Sequence, residues 1–355
     1  MNRAINILIL SLILIVVYMS IEQFYYKDRV INSQSVTHKV ITNSKIPVEP
    51  KNVVTSEYYR IAFINADNSM SLSQRLQEEF EWLLEQDKQK KDIHVSVDFF
   101  DSEGKIDTHL NQISTAFTSS QSHYDLIVVI PMNNDPTISN TIRNLHNSTD
   151  INVIILGREI NLSKTDGIYL VVSDDYQAGK IQAEHAAKYL MTGAPLYYIH
   201  GNGEYSDTSQ RFSGFSNTIK MLRSDLKVDV VADGGYNIEK TEKIVDQWIA
   251  ENRNIGCIIC GNDVITVGVV NSLRKNNRIG TIPVIGIDGH PDVLKGIIDG
   301  DIVMVANQKL YFEALAAYNI SMELYAKRTP IFDYKIFFGI VTKENVLLYI
   351  DREKY

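Results

Sequence analysis

Apolar residues along this chain fall into two alternating patterns. Short strand-like segments, several of them nearly continuously apolar, occupy residues 60–65, 93–99, 125–131 and 152–156, and later 196–200, 228–232, 256–260 and 283–287. Between them, apolar residues recur at helical spacing: Leu72, Leu76, Phe80, Leu83 and Leu84; Phe212, Phe215, Ile219 and Leu222; Ile244, Val245, Trp248 and Ile249. Runs of the first kind read as strands buried on both faces, and sets of the second kind as amphipathic helices. Their alternation predicts parallel sheets flanked by helices. It occurs in two similar sets, so the expectation is an α/β protein of two similar lobes, because one sheet carrying every strand would be excessively wide.

A different pattern opens the chain. Residues 5–21 are nearly continuously apolar, interrupted by Asn6, Ser11 and Ser20. At about 17 residues this stretch is just long enough to span a bilayer, and Arg3 before it favours an amino end left in the cytoplasm. A cleaved signal peptide ends in a small-x-small site. Here the stretch runs into Tyr18, Met19, Ser20, Ile21, Glu22, Gln23, Phe24, Tyr25 and Tyr26, which favours an uncleaved membrane anchor. Residues 22–56 are polar with little apolar periodicity and read as a tether, with a reach of roughly 30 Å by flexible-chain scaling.

In open parallel sheets, ligands sit beyond the carboxyl ends of the strands. The residues that follow the runs are polar: Asn65-Ala66-Asp67-Asn68, Gly157-Arg158-Glu159, Gly201-Asn202-Gly203, Gly261-Asn262-Asp263 and Asp288-Gly289-His290. Amide, guanidinium and carboxylate groups on successive strand ends can converge on one cleft, offering both donors and acceptors. Strand-end loops are also polar simply because they are exposed, so this pattern alone leaves both readings open.

Composition narrows the classes. The chain has 355 residues, 45% hydrophobic and 22% charged, with a net charge of −8. That length suits two lobes with separate cores, and the acidic balance argues against a nucleic-acid partner. The 2 cysteines, Cys257 and Cys260, lie within one apolar run, where i and i+3 point to opposite faces. They read as buried thiols, neither a disulfide nor a metal site. No metal or cofactor is expected.

The order of the motifs is more specific. Val284-Ile285-Gly286-Ile287-Asp288-Gly289-His290-Pro291, preceded by Gly261-Asn262-Asp263, resembles type I periplasmic sugar-binding proteins, the ribose-binding group. Ser173-Asp174-Asp175-Tyr176-Gln177-Ala178-Gly179-Lys180 and Gln210-Arg211-Phe212-Ser213-Gly214-Phe215 match in the same order, so the resemblance runs from about Tyr58 to the carboxyl terminus. It implies two Rossmann-like lobes joined by a three-crossover hinge, residues 57–173 plus 309–337 and residues 174–308 plus 338–355. A monosaccharide would lie between them, and closure would be a hinge motion.

Carried over residue by residue, the resemblance implies ligand contacts from Asn68 after the first strand, Arg158 after the fourth, Asp175 where the family often has Asn, and Arg211 opening a helix. It adds Tyr236 as a stacking aromatic, Asn262 and Asp288 after strands of the second lobe, and Gln308 at a crossover. A hinge or inter-loop hydrogen bond is the alternative role of Asp175, Arg211 and Gln308. The chain departs from the family pattern at Gly157, where an acidic residue precedes the arginine, at Met70 and Ser71, where an aromatic pair stands, and at Ile130, a polar position. A first lobe with fewer polar contacts is compatible with a pentose such as xylose.

Rival classes find little to build on. Gly201-Asn202-Gly203 lacks the third glycine of a dinucleotide fingerprint, and Gly179-Lys180 lacks the upstream glycine of a P-loop. The 8 histidines show no H-x-x-x-H spacing, and no nucleophile has a neighbouring base in a known context, so an enzyme is not expected. Sugar-responsive repressors share the two-lobed fold but carry a helix-turn-helix where this chain has its apolar stretch. The expected partner is a membrane sensor histidine kinase, by resemblance to membrane-anchored binding proteins that sit beside such kinases. An ABC permease is the alternative partner, and a sugar-like autoinducer the alternative ligand.

Overall fold

The computed structural model describes residues 58–350, apart from 91–92, 120–122, 163–165, 204 and 331–332. The expected membrane helix at residues 1–21 and tether at 22–56 lie outside the described residues. Among the described residues, no helix is long and apolar enough to cross a membrane.

The first sheet is built from β1 (Tyr59–Asn65), β2 (Val95–Asp101), β3 (Leu126–Val129), β4 (Asn152–Gly157) and β5 (Ile168–Ser173). The helices α1 (Ser71–Lys90), α2 (Ile106–Thr118) and α3 (Pro136–Thr149) connect the first four strands. The second sheet is built from β6 (Leu196–His200), β7 (Val228–Asp233), β8 (Cys257–Cys260), β9 (Val284–Asp288) and β10 (Met304–Asn307). Its helices are α4 (Asp175–Tyr189), α5 (Ser206–Leu222), α6 (Ile238–Ala250), α7 (Asp263–Lys275) and α8 (Pro291–Asp299). The described residues close with α9 (Leu310–Tyr325), β11 (Tyr334–Ile336), β12 (Gly339–Val341) and the one-turn α10 (Leu347–Ile350).

Strand order is β11-β5-β4-β3-β1-β2 in one sheet and β12-β10-β9-β8-β6-β7 in the other. The chain passes between the sheets after β5, after β10 and after β11. Asp174 N–H donates to the Ile336 carbonyl at 2.9 Å, which ties the first of these crossovers to the third.

Alternation explains why the apolar runs form these strands. In β1, Ile61 and Phe63 enter the core shared with α1 and α9, while Ala62 and Ile64 enter the core on the other face. In β8, Ile258 and Cys260 point to one face and Cys257 and Ile259 to the other. Both thiols are free and buried, and burial pushes the Cys260 thiol up to about 12, so neither is a ready thiolate.

The expectation of parallel sheets needs one correction: β12 runs antiparallel to β10. Strands β11 and β12 have 3 residues each and sit at sheet edges, too short to show a period in sequence.

One packing feature sets up the cleft. Helices α4 and α5 touch backbone to backbone. A Cβ at Gly179 would lie 1.9 Å from the Arg211 carbonyl oxygen, and one at Gly214 would lie 2.0 Å from that of Tyr176. The two glycines lie four residues after Asp175 and three after Arg211, on the same helical faces as those side chains. The close approach therefore brings Asp175 and Arg211 together.

Candidate functional site

The carboxyl ends of both sheets carry the residues singled out above. At their centre is Arg211, in the second turn of α5 and 3% exposed. Its Nε donates to Asp175 Oδ1 at 2.8 Å, and its Nη1 to the Gly261 carbonyl at 2.9 Å. Its Nη2 lies 2.9 Å from Asp288 Oδ1 as an ion pair, and its guanidinium stands 5.6 Å from the centre of the Phe338 ring. One planar cation thus joins a helix start, two strand ends and the third crossover.

Asp175 is the first residue of α4, behind the N-cap Asp174, whose side chain accepts from Gln177 N–H at 3.0 Å. Burial holds the Asp175 carboxyl above the usual range, against the pull of Arg211 and with a push from Asp207 and Asp288. Asp288 is likewise raised, mainly by burial. It adopts φ 77°, an uncommon conformation for a residue with a side chain. The following turn is fastened by Asp263, whose carboxylate accepts from Gly289 N–H at 2.9 Å and His290 N–H at 2.7 Å. Three carboxylates (Asp175, Asp207 and Asp288) therefore act on one arginine.

Tyr236 also takes a left-handed conformation, with φ 54°. Its hydroxyl is 2.9 Å from Thr208 Oγ1 and donates to the Asp207 carboxylate at 3.3 Å. Its ring lies against Gly201, where a Cβ would fall 2.1 Å from it, and is 5.5 Å from the Tyr205 ring.

On the first lobe, the Arg158 side chain is 6% exposed as a residue and donates through Nη1 to the carbonyls of Pro131 (3.2 Å) and Met132 (3.1 Å). Its guanidinium carbon stands 4.5 Å from the Tyr205 ring centre, a cation–π contact between the lobes. Beside it, Ser206 Oγ donates to the Glu159 carbonyl at 2.9 Å and Gln210 Nε2 to Glu159 Oε2 at 3.1 Å.

The remaining positions are locally engaged. Asn68 accepts from Asn65 Nδ2 through its side chain, and its backbone N–H donates to Asp101 at 3.2 Å. Asn262 caps α7 by accepting from Ile265 N–H at 2.9 Å. Gln308 Nε2 donates to Ser173 Oγ at 3.3 Å and Glu313 Oε1 at 3.0 Å.

The structure thus gathers Asp175, Arg211 and Asp288 directly and reaches Tyr236 through Asp207. Arg158 meets the second lobe at Tyr205, and Gln308 joins Asp288 through its backbone N–H, which donates to the Asp288 carbonyl at 2.7 Å, while the side chains of Asn68 and Asn262 are spent on local bonds. Sequence reasoning missed Asp207, Tyr205 and Glu313. Asp207 lies four residues before Arg211 in α5, a spacing that places the two on one face and offered a signal. Glu313 is an acid among the apolar positions Leu310, Ala314, Ala316 and Ala317 of α9, which is equally visible. Tyr205 left no such mark. Among the described residues, no group of three or more His, Cys, Asp or Glu side chains is placed to hold a metal ion.

Comparison with known proteins adds the following. A family model for the periplasmic binding protein domain matches residues 61–329. The D-ribose/D-allose-binding protein of Pseudomonas aeruginosa is 25% identical over 168 residues, 47% of this chain and 52% of that protein. The chain therefore aligns with about half the length of that relative. The D-xylose-binding periplasmic protein of Escherichia coli is 23% identical over 266 residues, 74% of this chain and 78% of that protein. Among solved structures, an ABC transporter solute binding protein from Bacillus halodurans with bound myo-inositol superposes with a TM-score of 0.75 at 18% identity. The superposition covers 84% of this chain and 99% of that one, a likeness of fold.

Proposed function

The chain belongs to the periplasmic binding protein domain family, and on that premise we propose that it closes its two lobes around a monosaccharide, a pentose such as xylose being favoured. The observation that carries this reading is the imbalance around Arg211. Three acidic groups act on one buried cation, two of them in direct contact with it, so the cluster is rich in hydrogen-bond acceptors. A ligand rich in hydroxyl donors complements that arrangement, whereas a phosphate or carboxylate ligand meets repulsion. Arg158 and Tyr205, one from each lobe, supply the guanidinium and aromatic surface beside it. The pentose preference is supported by the relative named for D-xylose, which aligns with most of this chain, and by the apolar character of the first-lobe position Ile130. No catalytic step is assigned.

The receptor is extracytoplasmic in this reading, held to the membrane by residues 1–21, and it reports closure to a membrane sensor histidine kinase. The motivation is the apolar stretch followed by bulky residues in place of a small-x-small site. A second reading, delivery of the sugar to an ABC permease, is favoured by the name of the solute binding protein that shares the fold.

The test is a thermal-shift and calorimetric screen of the detergent-solubilised full chain against D-xylose, D-ribose, other pentoses and hexoses, and the furanosyl diester autoinducer. A ligand that binds only the folded state raises the melting temperature by mass action. A shift with one pentose, lost in Arg211→Met variants that remain folded, is the expected result. A shift with the autoinducer alone, or with none of these compounds, overturns the pentose assignment. Membrane fractionation separates the two partner readings: a chain released without its first thirty residues argues for delivery over signalling.

A further inference from the structure

Strand β4 ends in a turn that sends two consecutive side chains different ways. Gly157 takes φ 79°, a conformation that favours glycine, and Arg158 N–H donates back to the Leu156 carbonyl at 3.0 Å. Arg158 folds into the first lobe, onto the carbonyls of Pro131 and Met132, and Ile160 is buried in the core of that lobe. Glu159, held between these two fixed neighbours, reaches across to α5. Its main-chain carbonyl accepts from Ser206 Oγ at 2.9 Å, and its carboxylate Oε2 accepts from Gln210 Nε2 at 3.1 Å. Ser206 and Gln210 stand four residues apart, so they share one face of the helix. Helix α5 carries no side-chain cap of its own, since the N-cap residue is Tyr205 and makes no cap bond. Its first turns instead receive a carbonyl and an acidic side chain from the opposite lobe, and an acid suits the positive end of a helix.

We propose that Glu159 is the latch that holds the two lobes together, acting on closure and not on the ligand. The proposal rests on the sugar-binding reading above and adds to it the residue that sets the balance between open and closed forms. The grip is made at two points, one on the main chain and one on the side chain. It falls on the face of α5 one residue away from Asp207 and Arg211, so docking Glu159 also seats the helix that carries the central guanidinium. The latch bonds join Glu159 to Ser206 and Gln210, whereas Arg211 is joined to Asp175, Gly261 and Asp288, so the two sets of partners are separate. Both flanks of Glu159 are already fixed in the first lobe, so docking it orders little that was free. A contact made in one of two conformations shifts their balance by its own free energy, whatever ligand is present. Every sugar held between the lobes therefore gains the same factor from this latch.

The experiment measures D-xylose and D-ribose binding, by calorimetric titration and by stopped-flow dissociation, to the detergent-solubilised full chain. The variants are Glu159→Ala, Glu159→Gln, Gln210→Ala and the Glu159→Ala/Gln210→Ala double variant, each also melted to confirm folding. Glu159→Ala and Gln210→Ala should each bind about five- to tenfold more weakly, the weight of one partly exposed hydrogen bond. The loss should be the same factor for every sugar that wild type binds and should appear as faster dissociation. Glu159→Gln, which keeps an acceptor for Gln210, should stay within about threefold of wild type, and the double variant should bind no more weakly than Glu159→Ala alone. Wild-type affinity in Glu159→Ala, a loss confined to one of two bound sugars, a loss carried by slower association, or multiplied losses in the double variant overturns the proposal. If wild type binds neither sugar, the pentose reading fails instead, and the latch is decided without ligand. Spin labels on Gln89→Cys in α1 and Lys243→Cys in α6, both exposed and one on each lobe, then report the distance between the lobes by pulsed electron resonance; the two native thiols are buried. Glu159→Ala should lower the share of the short-distance population, and identical distance distributions with and without Glu159 overturn the latch.

Discussion

Replacing Gly179 with alanine should damage the protein although alanine is the better helix former. Propensity alone favours the substitution by about 1 kcal/mol inside a helix. Against this stands the backbone of α5. The new Cβ would sit 1.9 Å from the Arg211 carbonyl oxygen, where ordinary contact begins near 3.4 Å, so the helices must part by roughly 1.5 Å. Forcing one methyl into packed backbone costs about 1–3 kcal/mol. Parting also stretches the 2.8 Å bond between Arg211 and Asp175, both almost fully buried. Breaking a buried ion pair on one side costs about 3–5 kcal/mol, and a stretched pair loses some fraction of that. The net expectation is a loss of about 2–5 kcal/mol, read by urea denaturation, with Tm falling by roughly 4–10 °C for a chain of this size. Sugar affinity should fall as well, because the displaced guanidinium is shared with Asp288. Gly203→Ala, at a position with open space around it, is the control and should be neutral. A Gly179→Ala protein as stable as wild type would show that α4 and α5 are not in backbone contact there, and the proposed origin of the cluster would fall with it.

Three further outcomes follow from the same geometry. Arg211→Met removes the only cation that bonds Asp175 and Asp288 among the described residues. It should destabilise the fold by about 3–5 kcal/mol near pH 7, and the deficit should shrink as acid neutralises the two aspartates, checked by denaturation at pH 5 and pH 8. Glu313 has its folded-state pKa raised from 4.5 to about 8 by burial. A raised acid contributes most below its unfolded value and loses that contribution as pH rises to the folded one. Wild type should therefore lose about 1 kcal/mol per pH unit between pH 5 and 8 relative to Glu313→Gln, and nothing further above it; a constant difference across that window would refute this. Tyr205→Ala removes a cation–π contact of about 0.5–2 kcal/mol between the lobes, so sugar affinity should fall up to about tenfold with Tm little changed; unchanged affinity would mean that the contact plays no part in closure.

The strands were legible wherever burial on both faces left an unbroken apolar run, as at Leu126–Val129 and Cys257–Cys260. Their carboxyl ends could then be located, and Arg158, Asn262 and Asp288 with them. What the pattern could not reveal is what each side chain does on arrival. Asn262 spends its carbonyl on a helix cap, and Asn68 meets Asn65. Those bonds depend on loop geometry that no periodicity encodes. Glu313 stood out as an acid among apolar positions, but its partners did not. Its partners Ser173 and Gln308 are brought together by the crossovers, so its significance appears only once α9 is known to return to the first lobe. Tyr205 likewise matters only because the lobes meet.

The cleft is asymmetric, and that asymmetry assigns separate tasks to the lobes. In the second lobe, Arg211 is fixed from three sides by Asp175, the Gly261 carbonyl and Asp288, while Asp263 pins the turn after Asp288. These groups are held by contacts within their own lobe, so their geometry does not depend on closure. Preorganised donors and acceptors of this kind lose little on binding and can discriminate between ligands. In the first lobe, Arg158 spends its Nη1 on the carbonyls of Pro131 and Met132 and turns its guanidinium face toward Tyr205 across the gap. That contact exists only when the lobes are together, so it acts on the balance between open and closed forms more than on the choice of ligand. Substitutions around Arg211 should therefore change which sugar is preferred, and substitutions around Arg158 and Tyr205 should change how tightly every accepted sugar is held.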